Sequence, residues 1–188
     1  MTELLPPPSA PEAAEWLPLH LPWQPAAAAR SPRVRWWQEA GLLVWEIIAP
    51  LPLAARDQFK TGGFVEGLWT QDVAEFFIAD CGTGTYTEYN LSPGGAWWGA
   101  CFGAPRVRVG RQPVPCGVQT MVTWLATHWI GRMSFPLPDL EGSAVNFTAI
   151  TAAVAGRQYY SLAPLQGDRP DFHRPQEWLK AKGPRWSG

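Results

Sequence analysis

The chain has 188 residues, which is enough for one sizeable hydrophobic core and too few for a comfortable second domain. Hydrophobic residues make up 46% and charged residues 16%, a balance that is typical of a globular protein with a large interior. The formal net charge of -1 gives no overall field that would attract nucleic acid or an anionic membrane, so we expect neither as a partner.

Targeting and membrane segments are not recognisable in the sequence. No apolar run reaches the roughly 18 residues that a membrane-spanning helix needs, and the N-terminus lacks the basic and apolar regions of a signal peptide. We therefore expect a cytoplasmic protein. The cysteines, Cys81, Cys101 and Cys116, are odd in number and lack CxxC spacing. This pattern predicts reduced, mostly buried thiols, with neither a disulfide framework nor a metal site.

Residues 1–32 are rich in Pro and Ala, and we interpret them as an arm outside the main domain. Within the arm, residues 16–23 alternate large apolar side chains with Pro. This pattern suits an extended strip on a sheet edge and excludes a central strand. We expect Trp16 and Trp23 to pack on the domain. A Pro-rich ligand for a partner protein is the alternative, but the strip has no PxxP motif with flanking basic residues.

The rest of the chain is a series of short strand patterns separated by Gly and Pro. The 20 prolines and 18 glycines argue against long helices. Strands are predicted at residues 34–38, 42–48, 73–79, 85–91, 96–102, 118–125, 129–135, 144–154 and 158–162, with a further short strand within 106–111. This regular spacing predicts an all-β fold over residues 33–180, an immunoglobulin-like or jelly-roll antiparallel β-sandwich of two sheets, with 181–188 as a tail.

Residues 67–106 concentrate Trp, carboxylate and amide side chains on a predicted three-stranded meander. Because side chains alternate along a strand, Glu75 lies on one face of the first strand, and Glu88 and Asn90 share a face of the second. A face with these residues is either a solvated ligand-binding surface or a set of internally paired polar groups. Both hypotheses stay open for Glu88 and Asn90, whereas we favour ligand contact for Trp69 and Glu75.

Two pairs of adjacent tryptophans give a second indication of contact surfaces. The chain has 12 tryptophans, and most must pack in the interior. Trp36 and Trp37, like Trp97 and Trp98, are neighbours in predicted strands and so point to opposite faces. We expect one member of each pair to face solvent, a ligand groove or the covering arm.

Separated motifs in the chain match the pattern of a known family in the right order. In the central stretch they are Leu68-Trp69, Asp72, Glu75 and Phe77, then Tyr86, Glu88, Asn90, Ser92-Pro93, Gly95 and Trp97, then Phe102 and Arg106. Towards the C-terminus they are residues 135–137, 145–147, 160–164 and 170–175. Over roughly residues 40–178 the chain resembles the DOMON-like β-sandwich proteins and the related family 9 carbohydrate-binding modules.

The resemblance implies a saccharide clamped between two Trp rings, with carboxylate, amide and Arg side chains holding its hydroxyl groups. Trp69 and Glu75 occupy the positions of the first Trp and of the carboxylate. Sugars present apolar C–H faces and a rim of hydroxyls, which suits these residue types. The predicted ligand-binding residues are Trp69, Glu75, Glu88, Asn90, Arg106, Asn146 and Tyr160.

The chain departs from the family pattern at two positions. Leu162 stands where the second Trp belongs, and Ala149 stands where an Arg usually follows the Asn-Phe pair. Half of the clamp and one cation would then have to come from elsewhere. Tyr159, Tyr160 or Trp178 are the candidates for the second ring.

Haem binding is an alternative function for this type of sandwich. Some DOMON-type sandwiches hold haem through axial Met and His, which makes His128, His173, Met121 and Met133 candidate ligands. Their spacing is not diagnostic, and lone histidines are more often structural, so we predict no cofactor.

Enzyme motifs are missing from the sequence, which has no nucleophile elbow, HExxH, P-loop or complete dinucleotide fingerprint. Asp72 with Glu75, or Glu75 with Glu88, could form a glycosidase carboxylate pair, but a sugar grip or a structural network suits the motif class better. We predict a non-catalytic carbohydrate-binding β-sandwich with no catalytic residues and no metal. The alternative is a structural or protein-interaction domain that has lost the sugar site. The identity of the ligand and the oligomeric state are left open.

Overall fold

The computed structural model describes residues 14–23, 31–52, 61–110, 117–136, 138, 140, 142–154 and 156–181. Their strands are β1 (Leu17–Pro18), β2 (Arg33–Glu39), β3 (Leu42–Pro50), β4 (Val73–Asp80), β5 (Tyr86–Leu91), β6 (Trp97–Ala104), β7 (Val107–Arg108), β8 (Gln119–Trp124), β9 (His128–Pro136), β10 (Ser143–Ala153), β11 (Gly156–Ser161) and β12 (Leu179–Lys180). Two short 3-10 turns, Leu68–Thr70 and Pro175–Glu177, are the helical elements in this part of the chain. Neither is long and apolar enough to cross a membrane.

The strands form two antiparallel sheets that pack face to face. The first sheet has the order β1-β2-β3-β9-β8, and the second has the order β11-β10-β4-β5-β6-β7. The short strand β12 pairs with β10 beyond the end of β11. This arrangement confirms the predicted antiparallel β-sandwich, and the longer strands end within about two residues of their predicted ends.

The main core lies between the two sheets and is rich in aromatic rings. Phe76 on β4 and Phe147 on β10 have ring centres 4.7 Å apart, and Tyr89 on β5 lies 4.2 Å from Phe135 on β9. Ring pairs at these separations stabilise the core beyond the burial of their apolar area. Because Phe76 points inward, the neighbouring position Glu75 points to the outer face of the second sheet.

A second apolar cluster covers that outer face, where the C-terminal segment, residues 163–178, crosses the strands. Trp178 packs 5.2 Å from Phe77 and 5.4 Å from Tyr86, measured between ring centres. Its indole N–H donates to the carbonyl of Phe172 at 3.0 Å. The segment is therefore a third layer over the second sheet.

The N-terminal arm connects the edges of both sheets. β1 pairs with β2 at the edge of the first sheet, and His20 forms an antiparallel bridge with Ser161 at the end of β11. Leu19, between these two contacts, is buried in the main core. The strip predicted for residues 16–23 thus lies on sheet edges. Residues 1–13 and 24–30 lie outside the described part of the chain.

Both predicted anchors of the arm contact the domain. The guanidinium of Arg35 lies 4.4 Å from the ring centre of Trp16, a cation–π distance. Trp23 lies 5.7 Å from Phe172 of the C-terminal segment. The arm therefore contacts the outer face of the first sheet through one tryptophan and the third layer through the other.

The adjacent tryptophans divide between layers as predicted. Trp36 faces the main core, whereas Trp37 on the opposite face is buried beside Ala14 of the arm. Trp97 packs against the main core, and Trp98 belongs to the outer cluster of the second sheet. Trp37 is thus covered by the arm, and Trp98 faces the third layer over the second sheet.

Neither described cysteine forms a disulfide. Cys101 on β6 is partly buried, with its sulfur 3.5 Å from the hydroxyl of Thr87. Cys81 is exposed in the turn after β4, so the expected burial is wrong there, because all residues of this turn, 80–85, are exposed to solvent. Cys116 lies outside the described residues.

Candidate functional site

A pocket of about 310 Å³ opens on the outer face of the second sheet, beside the C-terminal segment. Its volume lies at the lower end of the range for small-molecule sites. The charged and titratable residues of its lining are Glu75, Glu88, Arg106, Arg108, Arg157 and His173. The aromatic ones are Trp69, Trp98, Phe102, Tyr159 and Phe172.

Two buried carboxyl groups, Glu75 and Glu88, form what we call the polar floor of the pocket. Glu75 on β4 pairs with Asn90 on β5, and Glu88 pairs with Phe77, so the two carboxylates lie diagonally on one sheet face. Their residues are 3% and 4% exposed. The hydroxyl of Thr148 on β10 donates to the Glu75 carboxylate at 2.7 Å.

Burial changes the proton affinity of the polar floor. Desolvation raises the pKa of Glu75 to about 7, although the hydrogen bond from Thr148 acts against the rise. Desolvation, followed by the charge of Glu75, raises the pKa of Glu88 well above its ordinary value of 4.5. Two carboxyl groups close together in a poorly solvated site retain protons. Near neutral pH the floor therefore offers hydrogen-bond donors as well as acceptors.

Asn90 adds an unsatisfied amide next to the polar floor. Its side chain is 0% exposed, and neither amide atom makes a hydrogen bond of normal geometry. The amide lies close enough to Glu88 to act against the rise of its pKa. A buried polar group without a partner costs about 1–3 kcal/mol. Such a group is expected where a ligand or an ordered water completes its hydrogen bonds.

His173 closes the pocket from the C-terminal segment. Its Nδ1 lies 2.6 Å from the hydroxyl of Tyr86, which also accepts the backbone N–H of Arg106 at 3.0 Å. Desolvation and then the charge of Arg106 lower the pKa of His173 to about 4, so the ring is neutral at pH 7. If Tyr86 donates to Nδ1, the ring proton is on Nε2, which lies 3.9 Å from the Glu88 carboxylate.

An aromatic wall, made by Trp69 and Trp98, stands beside the polar floor. The turn Leu68–Thr70 carries Trp69 and begins after Gly67, whose φ of 85° favours glycine. The two Trp rings meet edge to face with centres 4.7 Å apart. The guanidinium of Arg108 lies 5.3 Å from the Trp69 ring centre and 4.7 Å from that of Trp98.

β11 contributes a cation and a second aromatic side chain to the lining. Arg157 donates from Nη2 to the carbonyls of Trp69 at 2.6 Å and Gln71 at 3.0 Å, which ties β11 to the turn that carries the aromatic wall. Tyr159, two residues along the same strand face, lies 6.3 Å from Phe172. The pocket is thus lined by Tyr159 on β11, at one edge of the second sheet, and by Trp98 on β6, near the other edge.

The structure brings most of the predicted ligand residues together. Trp69, Glu75, Glu88 and Arg106 line the pocket, and Asn90 lies on the same sheet face between Glu75 and Trp98. Arg108 and Arg157 were not predicted as ligand-binding residues, and Tyr159 was predicted only as a candidate for the second ring. Alternation along β11 would have placed Arg157 and Tyr159 on one face, but the sequence does not show that this face is the outer one.

The structure places two predicted residues elsewhere. The amide oxygen of Asn146 accepts the backbone N–H of Ala163 at 2.9 Å, and its nitrogen donates to Ser161 at 3.0 Å, so this side chain fixes the start of the third layer. Tyr160 points into the main core between the sheets, where its hydroxyl donates to Gln158 at 2.7 Å. Strand alternation explains the second case, because Tyr159 takes the outer face.

The two departures from the family pattern also lie away from the pocket. Ala149 faces the main core, and Leu162 packs against it. An Arg at position 149 would therefore point between the sheets. The pocket obtains its cation and its ring from Arg157 and Tyr159 on β11 instead.

The candidate haem ligands do not face one cavity. Met133 is buried in the main core between the sheets, and Met121 is exposed on β8 of the first sheet. His128 is also on the first sheet, on β9, whereas His173 lines the pocket over the second sheet. Among the described residues these side chains are thus divided between separate layers.

Comparison with known proteins gives similarity in structure only. No protein-family model and no curated protein sequence matches the chain. A solved structure from Bacteroides uniformis, provisionally described as a carbohydrate-binding protein, is 17% identical at a TM-score of 0.62, covering 88% of this chain and 84% of that one.

Two structures of a family 9 carbohydrate-binding module from Caldicellulosiruptor kristjanssonii are also similar, each 10% identical at a TM-score of 0.53. The glucose complex covers 80% of this chain and 74% of that chain, and the cellotriose complex covers 88% and 80%. At these identities the similarity concerns the fold. The chain therefore has a β-sandwich fold like that of family 9 carbohydrate-binding modules, as its motifs predict.

Proposed function

We propose that this protein binds a saccharide in the pocket without catalysing a reaction. The observation that carries the proposal is the polar floor: two buried carboxyl groups, Glu75 and Glu88, open into a cavity beside the aromatic wall. A purely structural carboxylate would be paired with a cation. Glu46 in the first sheet is such a case, since Arg35 and Arg132 each donate to it at 2.7 Å.

The chemistry of the lining suits a sugar. A pyranose ring presents C–H groups that pack on an aromatic face, and hydroxyls that both donate and accept hydrogen bonds. Trp69 and Tyr159 supply the rings, and the polar floor supplies carboxyl groups with both donor and acceptor capacity near neutral pH. The unsatisfied amide of Asn90 adds one further donor and acceptor beside the floor.

The similar structures support this proposal, because two of them hold glucose and cellotriose. The alternative, a domain that has lost its sugar site, was motivated by Leu162 and Ala149. Both residues pack with the main core, while Arg157 and Tyr159 line the pocket, so the departures at these two positions do not argue against a sugar site there. Binding without catalysis is also what the name of the similar modules indicates.

The experiment is a titration of the full chain with a panel of neutral mono- and oligosaccharides, followed by Trp fluorescence and melting temperature. We expect at least one sugar to shift both signals. Trp69→Ala should weaken its affinity about tenfold or more, as truncation of a central aromatic contact does. Trp16→Ala is the matched control, since Trp16 packs beside Arg35 on the first sheet.

No response to any sugar, or an affinity that Trp69→Ala leaves unchanged, would contradict the proposal. Release of reducing ends from a glycan by the wild-type protein would contradict the absence of catalysis.

A further inference from the structure

The mouth of the pocket carries three arginines, Arg106, Arg108 and Arg157, which we call the arginine rim. They come from the β6–β7 turn, from β7 and from β11, and all three line the pocket with exposed side chains. Neutral hydroxyl groups need hydrogen-bonding partners but no concentration of charge. A rim of three cations over a pocket that would accept a sugar therefore indicates an additional acidic group on the ligand.

The carboxylates that pair with the rim lie outside the lining. Arg106 contacts Asp171 at 2.9 Å, and Arg108 contacts Glu66 at 2.8 Å. These pairs are solvent-exposed, and such ion pairs are usually weak. A ligand carboxylate could share or replace them at little energetic loss. Arg157 donates from Nη2 to two backbone carbonyls, and its charge also acts on the carboxyl groups of Asp72 and Glu75.

The left-handed backbone conformation of Arg106 supports a functional reason for an arginine at this position. Arg106 has a φ of 62° and follows Pro105, in a turn position where Gly or Asn is normally favoured. A left-handed conformation is unfavourable for a residue with a long side chain, and such conformations cluster at functional sites. The Tyr86 hydroxyl holds the position by accepting the Arg106 backbone N–H.

Arg108 is oriented by the aromatic wall. Its guanidinium lies over the rings of Trp69 and Trp98. A guanidinium that stacks on aromatic rings keeps its N–H groups in its own plane, where they match the two oxygens of a carboxylate. The ring platform and the cation are therefore adjacent, and one ligand could contact both.

The polar floor offsets only part of the charge of the rim near neutral pH. Glu75 and Glu88 are buried and face the pocket, and burial raises the pKa of both carboxyl groups, so that Glu75, with a pKa of about 7, is only partly ionised at pH 7. His173, which also lines the pocket, is neutral at pH 7. The nearby Asp72 accepts the backbone N–H of Ala152 at 2.8 Å, outside the lining. Among the described lining residues, the rim thus supplies the predominant charge near pH 7.

We propose that the pocket takes a saccharide that bears a carboxylate, a uronic acid, with its ring beside the aromatic wall and its carboxylate on the arginine rim. This inference rests on the proposed function and narrows it from saccharides in general to acidic ones. No covalent step is involved.

The test compares matched sugars that differ in one group: glucose with glucuronic acid, and galactose with galacturonic acid, by calorimetric titration at pH 6.5 in low salt. The methyl ester of each acid keeps the shape and removes the charge. We expect at least one acid to bind about tenfold or more tightly than both its neutral partner and its ester, in line with charge-assisted bidentate hydrogen bonds. Added salt should reduce this preference.

Rim variants decide whether the arginines cause the preference. Arg106→Gln and Arg108→Gln should each reduce the affinity for the acid about tenfold, a larger factor than the loss of affinity for its neutral partner and its ester. Arg33→Gln, which changes an arginine whose Nη2 donates to the Trp16 carbonyl, is the control. The melting temperature of each variant shows that it folds, and Arg106→Gly repeats the test with a residue that suits a φ of 62°.

The outcomes separate the two proposals. Equal binding of acids and neutral sugars, or equal losses for both in the rim variants, would overturn the acidic ligand and leave saccharide binding intact. Binding of neither kind of sugar would overturn saccharide binding itself, and the acidic ligand with it.

Discussion

Glu75 lines the pocket, but burial of its carboxyl group makes the folded protein less stable. Its carboxyl group is buried in the second sheet and has one described hydrogen bond, from Thr148. The folded protein therefore favours the protonated form, with a pKa of about 7 instead of 4.5. The unfolded chain ionises first as the pH rises, so this group lowers the free energy of unfolding between about pH 4.5 and pH 7.

Glu75→Gln should remove this penalty. We expect the variant to be more stable than the wild type at pH 8, by on the order of 1–3 kcal/mol, and the difference to become small near pH 4, where both side chains at position 75 are neutral. Urea unfolding at pH 4, 6 and 8 measures it. His173, whose lowered pKa makes stability rise between about pH 4 and 6.5, is present in both proteins and largely cancels. A constant difference across pH would contradict the buried-carboxyl explanation.

Two buried asparagines show that residue type and strand position do not separate ligand contact from structure. Asn146 makes its hydrogen bonds to Ser161 and Ala163, which fix the chain as it leaves β11. Asn90 is equally buried and makes none of normal geometry. Both residues stand in strands, and both match the family pattern. Only the neighbours across the sheet and from the third layer distinguish them.

At the scale of elements, the arm is part of the sandwich. Leu19 is 1% exposed and contributes to the main core, although it belongs to a segment whose Pro spacing excludes a central strand. Its neighbours hydrogen-bond to β2 on one side and to β11 on the other. The arm therefore connects an edge of each sheet, which no hairpin within either sheet does.

Leu19→Ala tests this role of the arm. We expect a loss of about 3 kcal/mol in the free energy of unfolding, from the lost apolar burial and the cavity it leaves. Leu125→Ala, at a site that is 43% exposed, should stay within about 0.5 kcal/mol of the wild type. Chemical unfolding measures both variants, and equal small losses would show that the arm does not stabilise the sandwich.

Strand register decides what β10 and β11 contribute to the pocket. In β11, Arg157 and Tyr159 take the outer face and Tyr160 the core face, while in β10 the core position is Ala149. A shift by one residue exchanges the two faces of a strand. The positions of the family pattern therefore do not transfer to this chain one by one, although the motifs match in order.

The whole molecule has three layers, and the pocket lies between the second sheet and the third. The C-terminal segment is held there by Trp178, which packs on Phe77 and Tyr86 and donates to Phe172. Phe172 and His173 of the same segment line the pocket. The site therefore depends on the docking of a segment that has little regular secondary structure.

Trp178→Phe should loosen this layer while keeping most of its apolar contacts. We expect a loss of about 1–2 kcal/mol in the free energy of unfolding, because the carbonyl of Phe172 loses its donor and the smaller ring leaves a void. The affinity for the best saccharide of the panel should fall as well. Trp16→Phe, on the arm, is the control. Unchanged stability and affinity would show that the segment is held by other contacts.

The strand patterns were sufficient to predict the sandwich and the shared face of Glu75, Glu88 and Asn90, since period-two alternation is a local property of the chain. Trp69 and Arg106 were predicted from the motifs that resemble the family, not from alternation. Alternation could not predict that Arg157 and Arg108 line the pocket. Nothing in the sequence of β11 or β7 indicates which face of the strand the C-terminal segment covers. The domain boundaries, the cytoplasmic location and the DOMON relationship stay predictions.

The sequence by itself determined the alternation of each strand, and with it the all-β class and the sets of residues that share a face. Only the tertiary structure decided which face of the second sheet meets the first sheet and which meets the C-terminal segment. The physical reason is that a pocket is made by contacts between residues far apart in the chain: Arg157 meets the Trp69 turn, and His173 meets Glu88. Those contacts depend on how the layers pack, which no local pattern encodes.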